Sequence, residues 1–388
     1  MLSEKPDDKP AITMQIKALG RMGRIEDAES VFRAAIKHGL ADGFVYGSMI
    51  TAFSDSGRHG AAERLFEQAS IAVPSAMHIL YHAMIRSYGK AGRPEKAAEV
   101  FEAALREGAA NQTVFCAMAE VHTEARDVAG AESLFEMAWK KSLLCPGIYY
   151  YMIDIYCRVC RLGDARRKFE DAVEEGHTNP ELFRLMMKVN EQYGELDEAA
   201  RVFEMARSMG MADGPTSSLG QHIYYVAGRF DEALSVFGSL PPEARQSPNV
   251  LIDEAEVLRK RKEYGKAVSI LRGLLDGPVL TEDELHQTKT ILAYALKDSG
   301  KLVESFFLFE QLVREMPVDS LHFPRVLCGF VFAWQGMRFG RLDEKTLDSF
   351  LEILGHSKRT ARENLLHDIE DAIAVIEHYY KLCKNSKA

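Results

Sequence analysis

The sequence has few of the features that catalysis, metal binding or membrane insertion usually require. It contains no P-loop, glycine-rich dinucleotide turn, His-Glu-x-x-His or Gly-x-Ser-x-Gly motif, which argues against the enzyme classes that depend on them. Its six cysteines lack framework spacing, and the pair Cys157 and Cys160 has no further ligands at the spacing of a zinc site. No apolar run has membrane-spanning length. We therefore expect a non-enzymatic protein with no metal or other cofactor and no membrane partner.

An excess of basic residues is also missing. The 48 Lys and Arg residues stand against 57 Asp and Glu residues, which gives a formal net charge of −9. Nucleic-acid binding usually needs a basic footprint, because neutralising phosphates supplies much of the affinity. The densest basic run, Arg259-Lys260-Arg261-Lys262, is interpreted as a solvated helix end and turn. A local basic groove within an acidic protein stays open as the alternative.

The first ten residues are polar, contain proline and lack arginine. They predict a disordered lead over residues 1–10, because a secretory signal needs an apolar stretch and an organellar transit peptide is usually rich in arginine. Cysteines in such a chain are expected to be reduced thiols. We therefore expect a soluble, cytoplasmic protein.

What the sequence does contain is a regularly repeated alanine. Eight alanines follow one another at spacings of 34 or 35 residues, and we call them the anchor residues. A fixed period of this size is typical of stacked-repeat proteins, which present long concave surfaces for recognition. The anchors are Ala28, Ala62, Ala97, Ala131, Ala165, Ala199, Ala233 and Ala267.

The residues around each anchor predict a helical hairpin. A large apolar residue lies four positions after every anchor, as Phe101 follows Ala97, and this offset marks one face of a helix. Apolar residues that lie sixteen, thirteen and twelve positions before the anchor mark an earlier helix. Between them a glycine such as Gly92 often stands five residues before the anchor, and it suits the left-handed end of a helix. The unit is a first helix, a tight turn and a second helix.

These residues resemble tetratricopeptide and pentatricopeptide repeats. The stretch Lys-Ala-Gly-Arg-Pro-Glu-Lys-Ala at 90–97 looks like a pentatricopeptide hairpin turn, whereas the 34-residue spacing and the Ala–Phe–Ala pattern look more like tetratricopeptide repeats. The resemblance covers residues 11–317. It implies an all-α solenoid of about nine hairpins in a right-handed superhelix, followed by a divergent helical C-terminal cap over residues 318–388.

The pattern weakens towards the C-terminus. In the seventh hairpin, Gly214–Gly220 replaces the apolar start of the first helix, so we expect a weaker stack near residues 212–221. A ninth hairpin around Ser305 follows a short insertion near residues 275–283. Beyond Pro317 we expect three helices, the last of which caps the stack or, alternatively, forms a dimer. They are predicted at residues 322–337, 342–354 and 363–382.

Pentatricopeptide proteins read RNA bases with a side chain near the start of each first helix, usually Asn, Thr or Ser. The matching positions lie fifteen residues before each anchor, and only Thr13 and Ser218 fit the expected residue types. The lysine, asparagine and arginine clamp of chaperone-binding tetratricopeptide domains is not found either. The full set of matching positions is Thr13, Gly47, His82, Cys116, Tyr150, Arg184, Ser218 and Ile252.

We therefore predict a binding scaffold that takes a protein or peptide partner on its concave surface. A mixed-charge groove suits a polypeptide better than a phosphate backbone. The alternative is a single-stranded RNA-binding protein of the pentatricopeptide type, and a signalling adaptor or secreted effector would also act by protein binding. The expected state is a monomer or a weak dimer through the C-terminal helix. The candidate groove residues are His82, Arg86, Cys116, Glu120, Tyr150, Asp154, Arg184 and Lys188.

Overall fold

The computed structural model describes residues 9–277, 279–317, 320, 323–337, 344–358 and 363–385, and this part of the chain is helical without any β-strand. The all-α prediction is confirmed. The helices fall into two compact units, Met1–Ala212 and Asp213–Ala388. Most of the predicted disordered lead lies outside the described residues.

The first unit contains six hairpins, each made of two helices of 13 or 14 residues. Its helices are α1 (Lys9–Arg21), α2 (Ile25–Lys37), α3 (Gly43–Asp55), α4 (His59–Ala72), α5 (Met77–Lys90), α6 (Pro94–Arg106), α7 (Gln112–Ala125), α8 (Val128–Lys140), α9 (Pro146–Arg158), α10 (Leu162–Glu174), α11 (Pro180–Gln192) and α12 (Leu196–Ser208).

The second unit contains three further hairpins and the C-terminal helices. Its helices are α13 (Gly214–Val226), α14 (Phe230–Ser239), the short α15 (Pro242–Arg245), α16 (Pro248–Lys260), α17 (Tyr264–Leu275), α18 (Glu282–Asp298), α19 (Leu302–Glu315), α20 (Phe323–Met337), α21 (Glu344–Lys358) and α22 (Glu363–Asn385).

Every anchor alanine is the fourth residue of the second helix of its hairpin. All eight are buried, with at most 2% of their surface exposed, as the repeat pattern predicts. Ser305 occupies the same place in α19, is fully buried, and donates a hydrogen bond to the Ala293 carbonyl of α18 at 2.8 Å. The predicted register therefore extends over nine hairpins.

Aromatic pairs join consecutive hairpins of the first unit. The second-helix Phe101 packs edge-on against Phe115, near the start of the next first helix, with ring centroids 5.1 Å apart. Edge-to-face contacts of this kind add to the free energy of simple burial. Three further pairs repeat the edge-on contact, and in Phe66–Tyr81 the rings are tilted: Phe32–Tyr46, Phe135–Tyr149 and Phe169–Phe183 are the edge-on pairs.

The tight turn inside each hairpin needs a left-handed residue five positions before the anchor. Gly92 has a φ of 65° there, which a glycine adopts at little cost. In three hairpins a residue with a side chain takes the same conformation, namely Arg126, Cys160 and Lys262. These turns form because the surrounding helices enforce them, not because the local residue favours them.

One connection between hairpins of the first unit differs from the others in that unit. The spacing from Ala62 to Ala97 is 35 residues, whereas the other anchors are 34 apart. The extra length falls after α4, where Pro74–Ala76 forms a single 3₁₀ turn before α5 begins. No residue of this connection has a positive φ, whereas Gly108 and Gly176 do in the corresponding places of other hairpins.

The first helices of unit 1 form a continuous row. Neighbouring helices in the series α1, α3, α5, α7, α9 and α11 pack against each other. The second helices α2, α4, α6, α8 and α10 each pack between the first helices on either side of them. Small residues allow the first helices to approach closely. A Cβ added at Gly20 would lie 3.0 Å from Ala52, and one added at Gly89 would lie 2.6 Å from Val121. The first helices therefore form the more closely spaced row, whose exposed side we call the inner face.

In the second unit, α13 is a complete helix in spite of its glycine-rich start. The Asp213 carboxylate caps it by accepting a hydrogen bond from the Thr216 backbone N–H at 2.9 Å. Polar side chains fill its buried side, including Thr216, Ser217 and Gln221. The irregular pattern therefore changes what the helix buries but not whether it forms.

The C-terminal helices share one apolar core with α18 and α19. Trp334 of α20 packs on Tyr379 of α22 with ring centroids 4.7 Å apart, and Ile369 and Ile376 are fully buried. The observed α21 and α22 extend past the predicted ends at 354 and 382. The predicted bounds at His322 and Leu342 and the side chains of Leu347, Tyr380 and Leu382 lie outside the described residues.

The basic run in α16 does not behave as one solvated patch. Arg259 is buried, with its Nε 2.7 Å from Glu256 Oε2 and its Nη1 2.5 Å from Asp298 Oδ2. Glu256 also receives a hydrogen bond from Arg325 at 2.8 Å. The prediction of a solvated helix end holds for Lys260, which is exposed. It is wrong for Arg259, because this side chain is buried against the carboxylates of Glu256 and Asp298, and Asp298 is 39 residues away in the sequence.

Candidate partner-binding surface

All eight candidate groove residues lie on the inner face of hairpins three to six. They occupy α5, α7, α9 and α11, two on each helix and one turn apart. Seven are partly buried and Lys188 is exposed. The 34-residue spacing therefore places them on one row of helices, and ion pairs on that row form two clusters.

The first cluster joins α5 to α7. The Arg86 Nη2 donates a hydrogen bond to Glu120 Oε1 at 3.0 Å, and its Nε lies 2.7 Å from Glu120 Oε2. Burial raises the pKa of Tyr151, and the charge of Glu120 adds to that effect. Burial and the positive charge of Arg86 lower the pKa of His82, so this imidazole is neutral at neutral pH. The cluster is a two-point ion pair between helices, flanked by a tyrosine and a neutral histidine.

The second cluster joins α7 to α9. Arg158 Nε donates to Asp154 Oδ2 at 3.1 Å, and Arg158 Nη2 lies 3.2 Å from Glu124 Oε1. Burial raises the pKa of Asp154, although the charge of Arg158 opposes this. On α11, Arg184 donates to Glu181 within its own helix at 3.0 Å. Asp154 and Arg184 are therefore each engaged by a residue that the sequence analysis did not select.

Four of the residues that were missed share one position in the repeat. Asp55, Lys90, Glu124 and Arg158 each lie seven residues before their anchor, one helical turn beyond the residues eleven before it. Their charges alternate in sign along the row, and Lys90 Nζ lies 2.7 Å from Asp55 Oδ1. Extending the selected face by one turn would have identified all four.

Two adjacent tyrosines lie on the inner face at α9. Tyr150 and Tyr151 stand side by side on α9 with ring centroids 5.5 Å apart and planes nearly perpendicular. Both are partly buried, and burial followed by the charge of Asp154 raises the pKa of Tyr150. Tyr150 is predicted from the repeat spacing, whereas Tyr151 is not. The pair offers apolar ring surface next to the ion pairs of both clusters.

Cys116 has a close neighbour that the sequence analysis also missed. Its Sγ lies 3.6 Å from the Sγ of Cys145, which immediately precedes α9. Both are free thiols and both are partly exposed. The two cysteines are 29 residues apart and belong to neighbouring hairpins, so their spacing matches no sequence motif.

The family model of the PPR repeat matches residues 16–40, 44–69 and 79–108. The matched segments span the first three hairpins, which confirms the resemblance expected from the sequence. His82 and Arg86 lie in the third matched repeat, and the other six candidate residues lie in later hairpins of the same architecture.

Several solved repeat structures are similar to the chain. The pentatricopeptide repeat protein PPR10 from maize is 14% identical, with a TM-score of 0.40, and the match covers 96% of this chain and 68% of that one. Yeast Tom70 is 12% identical, with a TM-score of 0.38 and 96% of both chains covered. The Cut9–Hcn1 assembly of the APC/C is 10% identical, with a TM-score of 0.41, over 94% of this chain and 76% of that one. No curated protein matches the sequence.

Two further properties concern only the described part of the chain. None of its helices combines the length and the apolar character needed to cross a membrane. Within the same residues, no three His, Cys, Asp or Glu side chains gather as a metal site would require.

Proposed function

We propose that this repeat protein is a non-enzymatic scaffold that binds a protein or peptide partner on its inner face. The observation that carries the proposal is the pairing of charges there. Arg86, Lys90 and Arg158 each contact a carboxylate of the same face. Because an RNA strand is held largely by cations that neutralise its phosphates, these paired cations suit it poorly.

A polypeptide fits the same surface better. Its backbone and side chains carry donors and acceptors of both signs, so they can match alternating charges that would repel a polyanion in places. Tyr150 and Tyr151 add aromatic surface with polar tips, the type of residue that most often dominates binding energy at protein interfaces. We place the centre of the proposed contact at these two tyrosines, between the Arg86–Glu120 and Asp154–Arg158 pairs.

We also propose a monomer in a cytosol-like compartment. The described part of α22 buries Ile369, Ala372 and Ile376, and its exposed positions include His367 and Glu370. Its apolar side is therefore already covered within the unit, which supports a cap more than a dimerisation helix. Sedimentation at increasing protein concentration tests this, and a concentration-dependent dimer would contradict it.

Two parallel selections test the proposed partner class. The purified full chain is used to select from a displayed random-peptide library and from a random single-stranded RNA pool, both at about physiological salt. We expect peptides to be enriched, and their affinity to fall at least about tenfold, or roughly 1.4 kcal/mol, in Tyr150→Ala. Lys188→Glu should also weaken binding, because Lys188 is exposed on the inner face.

Lys141→Glu is the matched control. It makes the same charge change at an exposed residue just after the second helix α8, away from the inner face, and should leave peptide affinity unchanged. RNA binding is the second candidate, since the matched family is the pentatricopeptide repeat. If one RNA sequence were bound at about nanomolar affinity in that salt and lost in Tyr150→Ala, the polypeptide proposal would be wrong.

A further inference from the structure

The Cys116 and Cys145 thiols meet where two first helices adjoin. Cys116 lies within α7, and Cys145 is the residue at which the chain enters α9. Their sulfur atoms are 3.6 Å apart, so a bond between them requires the sulfurs to approach each other by less than two ångströms. Both side chains are partly exposed, which leaves them open to a small oxidant.

The residue next to this pair keeps the space open. A Cβ added at Gly147 would lie 2.8 Å from the Cys116 sulfur, which is closer than side chains come without displacement. Gly147 is in the first turn of α9 and has no need of a left-handed conformation. Its lack of a side chain is therefore what admits Cys116 to within reach of Cys145.

The two thiols differ in acidity. The hydrogen bond from Cys116 lowers the pKa of Cys145 to about 6 against the effect of burial, and the N–H groups of Ile148 and Gly147 and the charge of His177 assist. The same hydrogen bond and burial raise the pKa of Cys116. Cys145 is therefore the more acidic of the two thiols and Cys116 the less acidic, the division of roles found in an attacking and a resolving cysteine.

We propose that Cys116 and Cys145 are a redox-modification site that reacts with hydroperoxides and closes to a reversible disulfide. The Cys145 thiolate attacks the terminal peroxide oxygen, whose O–O bond breaks. Cys145 becomes a sulfenic acid, and the leaving alkoxide or hydroxide takes up a proton. The Cys116 sulfur then bonds to the Cys145 sulfur, and the sulfenic oxygen leaves as water with the Cys116 proton. The two thiols lose two electrons and the hydroperoxide gains them.

A dithiol reductant reverses the reaction by two thiol–disulfide exchanges. The disulfide ties α7 to the start of α9, four residues before Glu120 on one side and five before Tyr150 on the other. The chemistry at the sulfurs does not depend on which partner the inner face binds. The test therefore measures the disulfide itself, and its outcome is separate from that of the peptide and RNA selections.

The test exposes the full chain to a small excess of hydrogen peroxide near neutral pH, blocks free thiols by alkylation, and maps the peptides by mass spectrometry. We expect a linked Cys116–Cys145 peptide that is lighter by two hydrogens and disappears on treatment with dithiothreitol. Cys160 is exposed at a turn and serves as the internal reference. If Cys160 were oxidised while no linked peptide formed, or if Cys145 reacted no faster than Cys160, the proposal would be overturned.

Variants separate the two steps. Cys116→Ser should stop the reaction at a Cys145 sulfenic acid, which a dimedone probe traps. Gly147→Ala should displace Cys116, so that Cys145 is still oxidised but the yield of linked peptide falls severalfold. Cys145→Ser should leave Cys116 unoxidised at the same dose. Oxidation of Cys116 at the wild-type rate in Cys145→Ser would contradict the assigned roles even if a disulfide forms in the wild type.

Discussion

Arg126 and Gly92 hold the same turn position in consecutive hairpins and the same left-handed conformation, with φ of 54° and 65°. For a residue with a side chain this conformation costs about 1–2 kcal/mol, and a glycine avoids that cost. Part of this stabilisation is lost because a glycine makes the unfolded chain more flexible and so increases its conformational entropy. We expect Arg126→Gly to raise the free energy of unfolding by about 0.5–1 kcal/mol.

Urea denaturation of the full chain measures this change. Arg126 is exposed, so little packing is lost with its side chain. Arg126→Ala is the control, because it removes the same side chain and keeps the strained conformation. An equal gain in Arg126→Ala would mean that the arginine itself, not its backbone, is unfavourable.

Because a small residue recurs at every anchor position, we expect the stability of the protein to depend strongly on the size of the side chain there. Ala131 is 2% exposed at the fourth residue of α8, where the helix packs on its neighbours. Ala131→Leu should overpack this contact and lower stability by about 1–3 kcal/mol. Ala129→Leu makes the same change at an exposed position of the same helix and should be nearly neutral. The two melting midpoints give the comparison, and equal midpoints would refute close packing at the anchor.

The buried cluster around Glu256 predicts a pH-dependent stability. Burial alone would raise the pKa of Glu256, but the hydrogen bond from Arg259 and the charge of Arg325 outweigh it and lower the pKa to about 2. A carboxyl whose folded pKa is lowered contributes stability above its ordinary pKa and loses it as the pH falls towards the folded value. The contribution, about 3 kcal/mol, should therefore fade between about pH 4.5 and 2.

Glu256→Ala tests this directly. It leaves Arg259 and Arg325 without this carboxylate, and removing one member of a buried ion pair costs about 3–5 kcal/mol at neutral pH. Its stability should also vary less than that of the wild type over the acidic range. Glu254→Gln, on the same helix, is the control, since burial raises the pKa of Glu254 and its charge adds little. A wild-type acid profile that persisted in Glu256→Ala would assign the effect to other carboxyls.

The polar interior of α13 predicts a local difference in opening. Thr216, Ser217 and Gln221 occupy the positions that Leu182, Phe183 and Met187 hold in α11. Less apolar burial and two helical glycines lower the free energy of local opening. Hydrogen exchange should be faster over residues 214–221 than over α11 in the same sample. Equal protection of the two helices would show that the hydrogen-bonded cap compensates.

The hairpins could be predicted from the sequence because the 34-residue period follows directly from how the helices pack. Ala131 and its equivalents are small wherever two helices cross, and Gly92 and its equivalents mark the turns. Both signals depend only on distances along the chain. They are repeated often enough to withstand local exceptions such as Arg126 or the start of α13.

The contacts of the inner face were harder to predict because they join different hairpins. Arg86 and Glu120 were both selected, but nothing in the sequence states that their side chains meet. Cys145 and Tyr151 lie off the selected positions, and Arg259 looked solvated because its partner Asp298 is 39 residues away. Such pairings depend on rotamers and on the offset between neighbouring helices, which a repeat period does not specify.

The 3₁₀ turn at Pro74–Ala76 has a consequence for how such an array changes in length. An added residue inside a helix would rotate every later side chain by about 100° and turn the binding stripe away from its neighbours. Placed between two hairpins, the extra residue is taken up by one turn, and Tyr81 and Ala97 keep their places in the stack. Insertions and deletions at these connections therefore change the length of the chain but not the direction in which the side chains of later helices face. Hairpins can for this reason diverge, lengthen or be exchanged one at a time.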